Sequence, residues 1–367
     1  MVSCVSEPVD NGRAENDHAS IEWQLAHGPF TEQQFNDLPR QDWTLLVQAV
    51  DHYVPAVAAL RDYFTFIPSW QIDDVMVSYA TEGGGVGPHF DRYDVFLVQG
   101  QGQREWQLGQ RCDQYTEQQH IDGLSLLSGF EPQKTFILEP GDILYVPPYL
   151  AHWGTALDNN CMTYSVGFRA PSIAELIDDY ASFLYAELSD DERFREQLDI
   201  TRVKSQPPTA INPATLAQLG KIMTQAMQDP QQLGRWFGRW ASAPKYPSPD
   251  SDEPQESLVG ADEAQELLAS LKSEAFGESQ VYRDTACRIY TLDHSANGNG
   301  TQSLLLFING RDIELTAVSE TLRQSIALVC NSHCFAAKYL ALWLDHPVLS
   351  DEVLTLFDRG ELYFDNE

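Results

Sequence analysis

The sequence predicts an α+β protein with a double-stranded β-helix barrel, then a helical region, then a small α+β domain. Three observations carry this. Over residues 70–169, short apolar runs are punctuated by Gly and Pro, the pattern of many short strands closed on one another. Over residues 172–240 the apolar period lengthens to that of a helix, with Ile173, Leu176, Ile177, Tyr180, Phe183 and Leu184 on one stripe. Pro244, Pro247, Pro249 and Pro254 then give a linker composition before helix and strand patterns resume.

Residues 1–20 are polar and read as a loose N-terminus. The barrel is expected over 21–171. Thr31-Glu32-Gln33-Gln34 has the form of a helix-capping start ahead of Phe35 and Leu38. Within the barrel, strands are expected around 75–80 and 95–98, with 101–108 as the return strand of a hairpin. Gly141-Asp142 is read as the turn leading toward His152, through a short buried strand. The helical region is placed at 172–240, a linker at 241–260 and the terminal α+β domain at 261–367. That domain should contain a helix over 262–274 and strands near 289–292, 304–308 and 362–364.

The barrel carries the chemistry. In Gly83-Gly84-Gly85-Val86-Gly87-Pro88-His89-Phe90-Asp91, read as a barrel strand, an imidazole and a carboxylate stand two residues apart, so both turn to one side. Downstream, the run from Pro140 to His152 supplies a further imidazole. Two histidines and one carboxylate on one face of a metal, with the opposite positions open, form the ligand set of non-haem Fe(II) oxygenases. A second His-x-Asp, His120-Ile121-Asp122, follows the polar run from Thr116 to Gln119 and precedes Gly123, so it reads as loop and not as the site. Arg104 alternates with Trp106 and Leu108 and is expected to point inward, where its guanidinium could grip a distal carboxylate. Lys134 is the next cation to consider for that role. Ser78, alternating with Met76, could hydrogen-bond the same co-substrate.

These residues also carry a resemblance. The run from Ser78-Tyr79-Ala80 through Gly83-Gly84-Gly85-Val86-Gly87-Pro88-His89-Phe90-Asp91-Arg92-Tyr93-Asp94-Val95-Phe96, with Tyr164-Ser165-Val166-Gly167-Phe168-Arg169-Ala170-Pro171, resembles the ribosomal-oxygenase branch of the JmjC-type 2-oxoglutarate oxygenases. It implies Fe(II) held by His89, Asp91 and His152, and 2-oxoglutarate anchored by Arg104. Dioxygen would be the oxidant, and one arginine of a basic 50S ribosomal protein the substrate, hydroxylated at Cβ. It also implies that 172–240 is a dimerisation bundle, giving a homodimer, and that the C-terminal domain is winged-helix-like. Two readings stay open beside it. A metal-binding cupin acting on a small sugar or acid shares the segment from Gly141 to His152, although such proteins favour His-x-His with a Glu. An N-methyl demethylase would use the same chemistry.

Composition is consistent with a cytoplasmic enzyme. The chain has 367 residues, 43% of them hydrophobic, enough for two or three domains with full cores. It contains no apolar run of about 18 residues and no basic-then-apolar leader, so neither membrane insertion nor secretion is expected. Cys4, Cys112, Cys161, Cys287, Cys330 and Cys334 lack framework spacing and read as reduced thiols, the last two within a helical run rather than at zinc. A net charge of −31 disfavours direct nucleic-acid binding and favours a basic partner.

Overall fold

Alternation of buried and half-buried residues organises the first half of the chain into strands. In this computed structural model residues 2–6, 24–121, 123–188, 194, 211–246, 261–296 and 301–364 are described, and the chain divides into two units, Met1–Ala170 and Pro171–Glu367. The first contains β1 (Val2–Ser6), β2 (Gln24–His27), α1 (Glu32–Asn36), β3 (Trp43–Val47), α2 (Pro55–Ala58), β4 (Ile72–Ala80), β5 (Val95–Gln101), β6 (Arg104–Arg111), β7 (Gln118–Ile121), β8 (Leu124–Leu127), β9 (Lys134–Leu138), β10 (Ile143–Val146), β11 (Leu150–Ala156) and β12 (Cys161–Phe168).

Seven strands form one antiparallel sheet in the order β10-β5-β12-β4-β3-β1-β2; three form a second, β11-β6-β9; and β7 pairs with β8. Strand β5 shows how the layers are held. Val95 and Leu97 point inward and meet Trp106, Leu138 and Val146, while Phe96 and Val98 lie on the other face against Phe64, Ile72, Val75 and Phe168. Burying each such side chain contributes about 1.5–3 kcal/mol, so both faces of the central strands stabilise the barrel. The capping box expected at Thr31 is present, with Thr31 and Gln34 each receiving the other's backbone N–H.

Three local expectations need correction. Residues 2–6 are not loose: β1 sits between β2 and β3, and its backbone groups are satisfied by that ladder; residues 7–20 lie outside the described residues. β5 and β6 are not a hairpin pair, because after Gly102, at φ +62°, β6 crosses to the opposite sheet and pairs with β9 and β11. The turn at Gly141 enters β10, which is half exposed at Ile143 and Tyr145 rather than buried; β11, the next strand, carries His152.

The second unit contains α3 (Ile173–Glu187), α4 (Pro213–Met227), α5 (Pro230–Ser242), α6 (Ala261–Lys272), β13 (Gln280–Arg283), β14 (Ile289–Ala296), β15 (Thr301–Ile308), β16 (Arg311–Thr316), α7 (Glu320–Asn331), β17 (Cys334–Ala336), α8 (Lys338–Ala341), α9 (Pro347–Asp358) and β18 (Leu362–Phe364). The expected apolar stripe divides. Tyr180 and Leu184 are buried against Trp236 of α5, whose indole N–H donates to Asp179 at 2.6 Å, whereas Ile173 and Ile177 are exposed. α5 in turn lies on the sheet β14-β15-β16. A Cβ at Gly238 would stand 2.2–2.4 Å from the Phe307 ring, so only glycine permits that approach. Residues 247–260, most of the expected linker, lie outside the described residues. Cys330 falls in α7 and Cys334 in β17, and neither belongs to a metal-binding cluster among the described residues.

Candidate active site

The segment bearing His89 and Asp91 is extended but is not a strand, contrary to the sequence reading. Its ladder is a single antiparallel bridge between His89 and His152. The two residues exchange both backbone hydrogen bonds, at 3.0 and 2.8 Å, which makes them a directly opposed pair with side chains on the same face. Their ring centroids are 4.2 Å apart. One step further, the Tyr149 N–H donates to the Asp91 carbonyl at 2.8 Å, fixing the backbone of the third residue. Glycine makes this docking possible. A Cβ at Gly85 would stand 2.4 Å from the Gly154 carbonyl oxygen, and Gly87 adopts φ +78°.

That local chain path also sets the ring orientations. His89 Nδ1 lies 2.9 Å from the Gly87 carbonyl oxygen and His152 Nδ1 lies 3.0 Å from that of Leu150. Donation from Nδ1 to these carbonyls leaves each Nε2 as a lone-pair donor, the tautomer a metal requires. His152 Nε2 and Asp91 Oδ2 are 3.6 Å apart, and one ligand atom from each of His89, Asp91 and His152 lies within 4.8 Å of the others. Burial, reinforced by the neighbouring His89, pushes the His152 imidazole down to about 4, with Asp91 opposing only in part. His152 is therefore neutral at physiological pH. Tyr93, which the sequence reading passed over, faces this cluster. Burial, then the charges of Asp91 and Asp74 and a hydrogen bond to Asp91, hold that phenol well above its ordinary range.

The triad opens on a cavity of about 320 Å³, lined also by Ser78, Arg104, Trp106 and Thr163. Arg104 is 4% exposed. Its guanidinium lies over the Trp106 ring at 5.7 Å, its Nε donates to Cys161 Sγ at 3.3 Å, and its Nη2 is buried with no hydrogen-bond partner. A buried cation with unspent donors beside two imidazoles and a carboxylate fits a ligand that chelates a metal at one end and carries a carboxylate at the other. The sequence reading thus has His89, Asp91, His152, Arg104 and Ser78 on one cavity. Ser78 is buried and its hydroxyl donates to the Thr163 carbonyl at 3.4 Å. Lys134 is exposed and does not line the cavity. His120 lies on β7 rather than in a loop, but it is exposed, with Nδ1 3.0 Å from Ser125 Oγ, and it is not one of the clustered ligand residues; Asp122 is outside the described residues. Thr163, which lines the cavity, and Cys161, which lies behind it against Arg104, were missed because only the packing of β12 against β6 brings them there; Trp106 was signalled by its alternation with Arg104.

Comparison with known proteins agrees with this geometry. The family model described as the JmjC domain matches residues 59–176. The Escherichia coli (strain K12) ribosomal protein uL16 3-hydroxylase is 40% identical over 230 residues, covering 62% of this chain and 60% of that protein. A probable ribosomal oxygenase of Haemophilus influenzae is 44% identical over 158 residues, covering 43% of this chain and 39% of that protein. These alignments thus span from two-fifths to three-fifths of the curated relatives' lengths. The structure of YcfD, a ribosomal oxygenase from Escherichia coli, in complex with cobalt and 2-oxoglutarate, superposes with a TM-score of 0.74 at 28% identity, covering 100% of this chain and 87% of that one. Residues 59–176 thus match the JmjC domain, and the fold, aligned over 100% of this chain, is similar to that of a ribosomal oxygenase.

Proposed function

We propose that this protein is an Fe(II)- and 2-oxoglutarate-dependent hydroxylase that modifies Cβ of one arginine in a 50S ribosomal protein of the uL16 type. The observation that carries the reading is the buried Arg104 guanidinium, its Nη2 without a hydrogen-bond partner, on the same cavity as His89, Asp91 and His152. The printed descriptions of its relatives, a uL16 3-hydroxylase and a structure holding cobalt and 2-oxoglutarate, support it.

His89, Asp91 and His152 would hold Fe(II) through two neutral imidazoles and one carboxylate, leaving the opposite positions to ligands. Bound there, iron supplies dioxygen activation coupled to oxidative decarboxylation: substrate C–H, O2 and 2-oxoglutarate become C–OH, succinate and CO2. The chain's own residues orient the reactants. Arg104 binds the distal carboxylate of the keto acid, and the Gly87 and Leu150 carbonyls keep both imidazoles in the metal-binding tautomer. Trp106, Leu97 and Val95 exclude water from the inner wall. A net charge of −31 favours encounter with a basic ribosomal protein and disfavours nucleic acid as a direct partner. Such a substrate locates the reaction in the cytoplasm; among the described residues no helix is long and apolar enough to cross a membrane. The exposed Ile173, Ile177, Leu216, Ile222 and Met223 on α3 and α4 support a homodimer through the helical region 172–240, with a winged-helix-like domain after it.

Incubation of the full chain with Fe(II), ascorbate, 2-oxoglutarate and the uL16 protein tests the reading. Succinate formation with gain of one oxygen atom on an arginine is expected. Formaldehyde release from a methylated peptide would favour the demethylase reading, and no consumption of 2-oxoglutarate would leave a metal-binding cupin.

A further inference from the structure

The way Arg104 is held leads to a residue that neither the motif nor the triad points to. Cys161 opens β12 opposite Ala80 of β4, and its side chain is fully buried. Arg104 opens β6, in the other sheet. The two meet across the barrel, with Arg104 Nε donating to Cys161 Sγ at 3.3 Å. The same sulfur receives Gln99 Nε2 at 3.4 Å, and Gln99 accepts the Thr163 hydroxyl at 2.9 Å, so the acceptor is itself fixed by a buried polar chain.

A guanidinium has two edges that can grip a carboxylate in a fork, Nε with one Nη, or the two Nη atoms together. With Nε engaged by Cys161 and the flat face set on Trp106, only the edge formed by Nη1 and Nη2 remains, and Nη2 is the buried nitrogen without a partner. We propose that Cys161 is a positioning residue for the co-substrate: its sulfur engages the Arg104 Nε–H and presents the Nη1–Nη2 edge to the distal carboxylate. The proposal rests on the reading of Arg104 as the carboxylate anchor. A side chain held in one rotamer before binding loses less freedom on binding, which is where the affinity arises.

Calorimetric titration of the full chain loaded with Mn(II) tests this, using 2-oxoglutarate and, in parallel, 2-oxobutyrate, which lacks the distal carboxylate. Loss of one hydrogen bond to a charged group should weaken 2-oxoglutarate binding about tenfold in Cys161→Ala, with 2-oxobutyrate changed by less than about twofold. Cys161→Ser retains an acceptor and should recover most of the loss, and because it keeps the polar chain to Gln99 it guards against a folding defect in the alanine variant. In an Arg104→Lys background, which has no Nε–H, Cys161→Ala should add almost nothing. Equal weakening of both acids, unchanged 2-oxoglutarate binding, a serine variant no better than alanine, or full additivity with Arg104→Lys would each overturn the proposal. If the unaltered protein binds both acids alike, the Arg104 reading itself falls, and the role of Cys161 with it.

Discussion

Arg104→Ala is the substitution whose effect follows most directly from the structure. Arginine carries five N–H donors; the one on Nε is spent on Cys161, and the Nη edge of the nearly fully buried side chain remains on the cavity. Two charge-assisted hydrogen bonds to a carboxylate would each be worth about 1.5–3 kcal/mol. Part of that sum is offset by stripping water from the carboxylate, so the net loss on truncation should be about 2–4 kcal/mol, or roughly 30- to 1000-fold in affinity. On the proposed reading the contact would lie at the end of the co-substrate away from the reacting bond and be the same before and during reaction. It should therefore raise KM for 2-oxoglutarate far more than it lowers kcat. Arg104→Lys should recover part of the loss, since an ammonium attracts the carboxylate without forming the fork. The assay is initial-rate succinate formation across a 2-oxoglutarate series. An unchanged KM in the alanine variant would refute the reasoning and require another anchor; Lys134 could not replace it without rearrangement, because it lies outside the cavity.

Three further outcomes are expected. Asp91→Ala or His152→Ala should abolish metal binding and 2-oxoglutarate turnover while His120→Ala, exposed on β7, leaves both near normal; a comparable loss at His120 would contradict the site. The metal-free protein should lose stability as pH falls from about 6.5 toward 4, because there the unfolded chain takes up a proton that folded His152 refuses. At pH 5 the loss should be about 2 kcal/mol relative to neutral pH, read as the difference in urea unfolding between the unaltered protein and His152→Gln; parallel pH profiles for the two would count against it. Gly154→Ala would place a Cβ 2.7 Å from the Trp106 ring carbons, costing about 1–3 kcal/mol of stability and displacing the platform under Arg104; thermal unfolding and KM for 2-oxoglutarate should both move, and neither moving would mean the ring is free to shift.

The parts of the site that were legible share one property: they depend on near neighbours in the chain. His89 and Asp91 share a side because extended backbone repeats every two residues, and Arg104 faces inward with Trp106 for the same reason. Where the reading failed, pairing partners decided. Residues 2–6 look like part of a loose terminus because the segment 1–20 that holds them is polar, yet β2 and β3 satisfy their backbone groups from either side. β5 and β6 look like a hairpin because they are consecutive, yet a single connection at Gly102 sends them into opposite sheets. The stripe beginning at Ile173 was periodic as expected, but which part of it is covered depended on where α5 came to lie.

By itself, the sequence determined the candidate site residues, their spacing, the strand-rich character of the first half and the excess of negative charge, all properties of short segments or of composition. Tertiary structure decided which groups meet. The bridge that sets His152 opposite His89 selects one imidazole from the other eight histidines, and the crossing of β6 to the second sheet sets Cys161 against Arg104. The physical reason is that backbone periodicity is written into each residue's allowed dihedrals. Long-range register arises only when two sheets bury their apolar faces together, and no local pattern records which partner each strand will find.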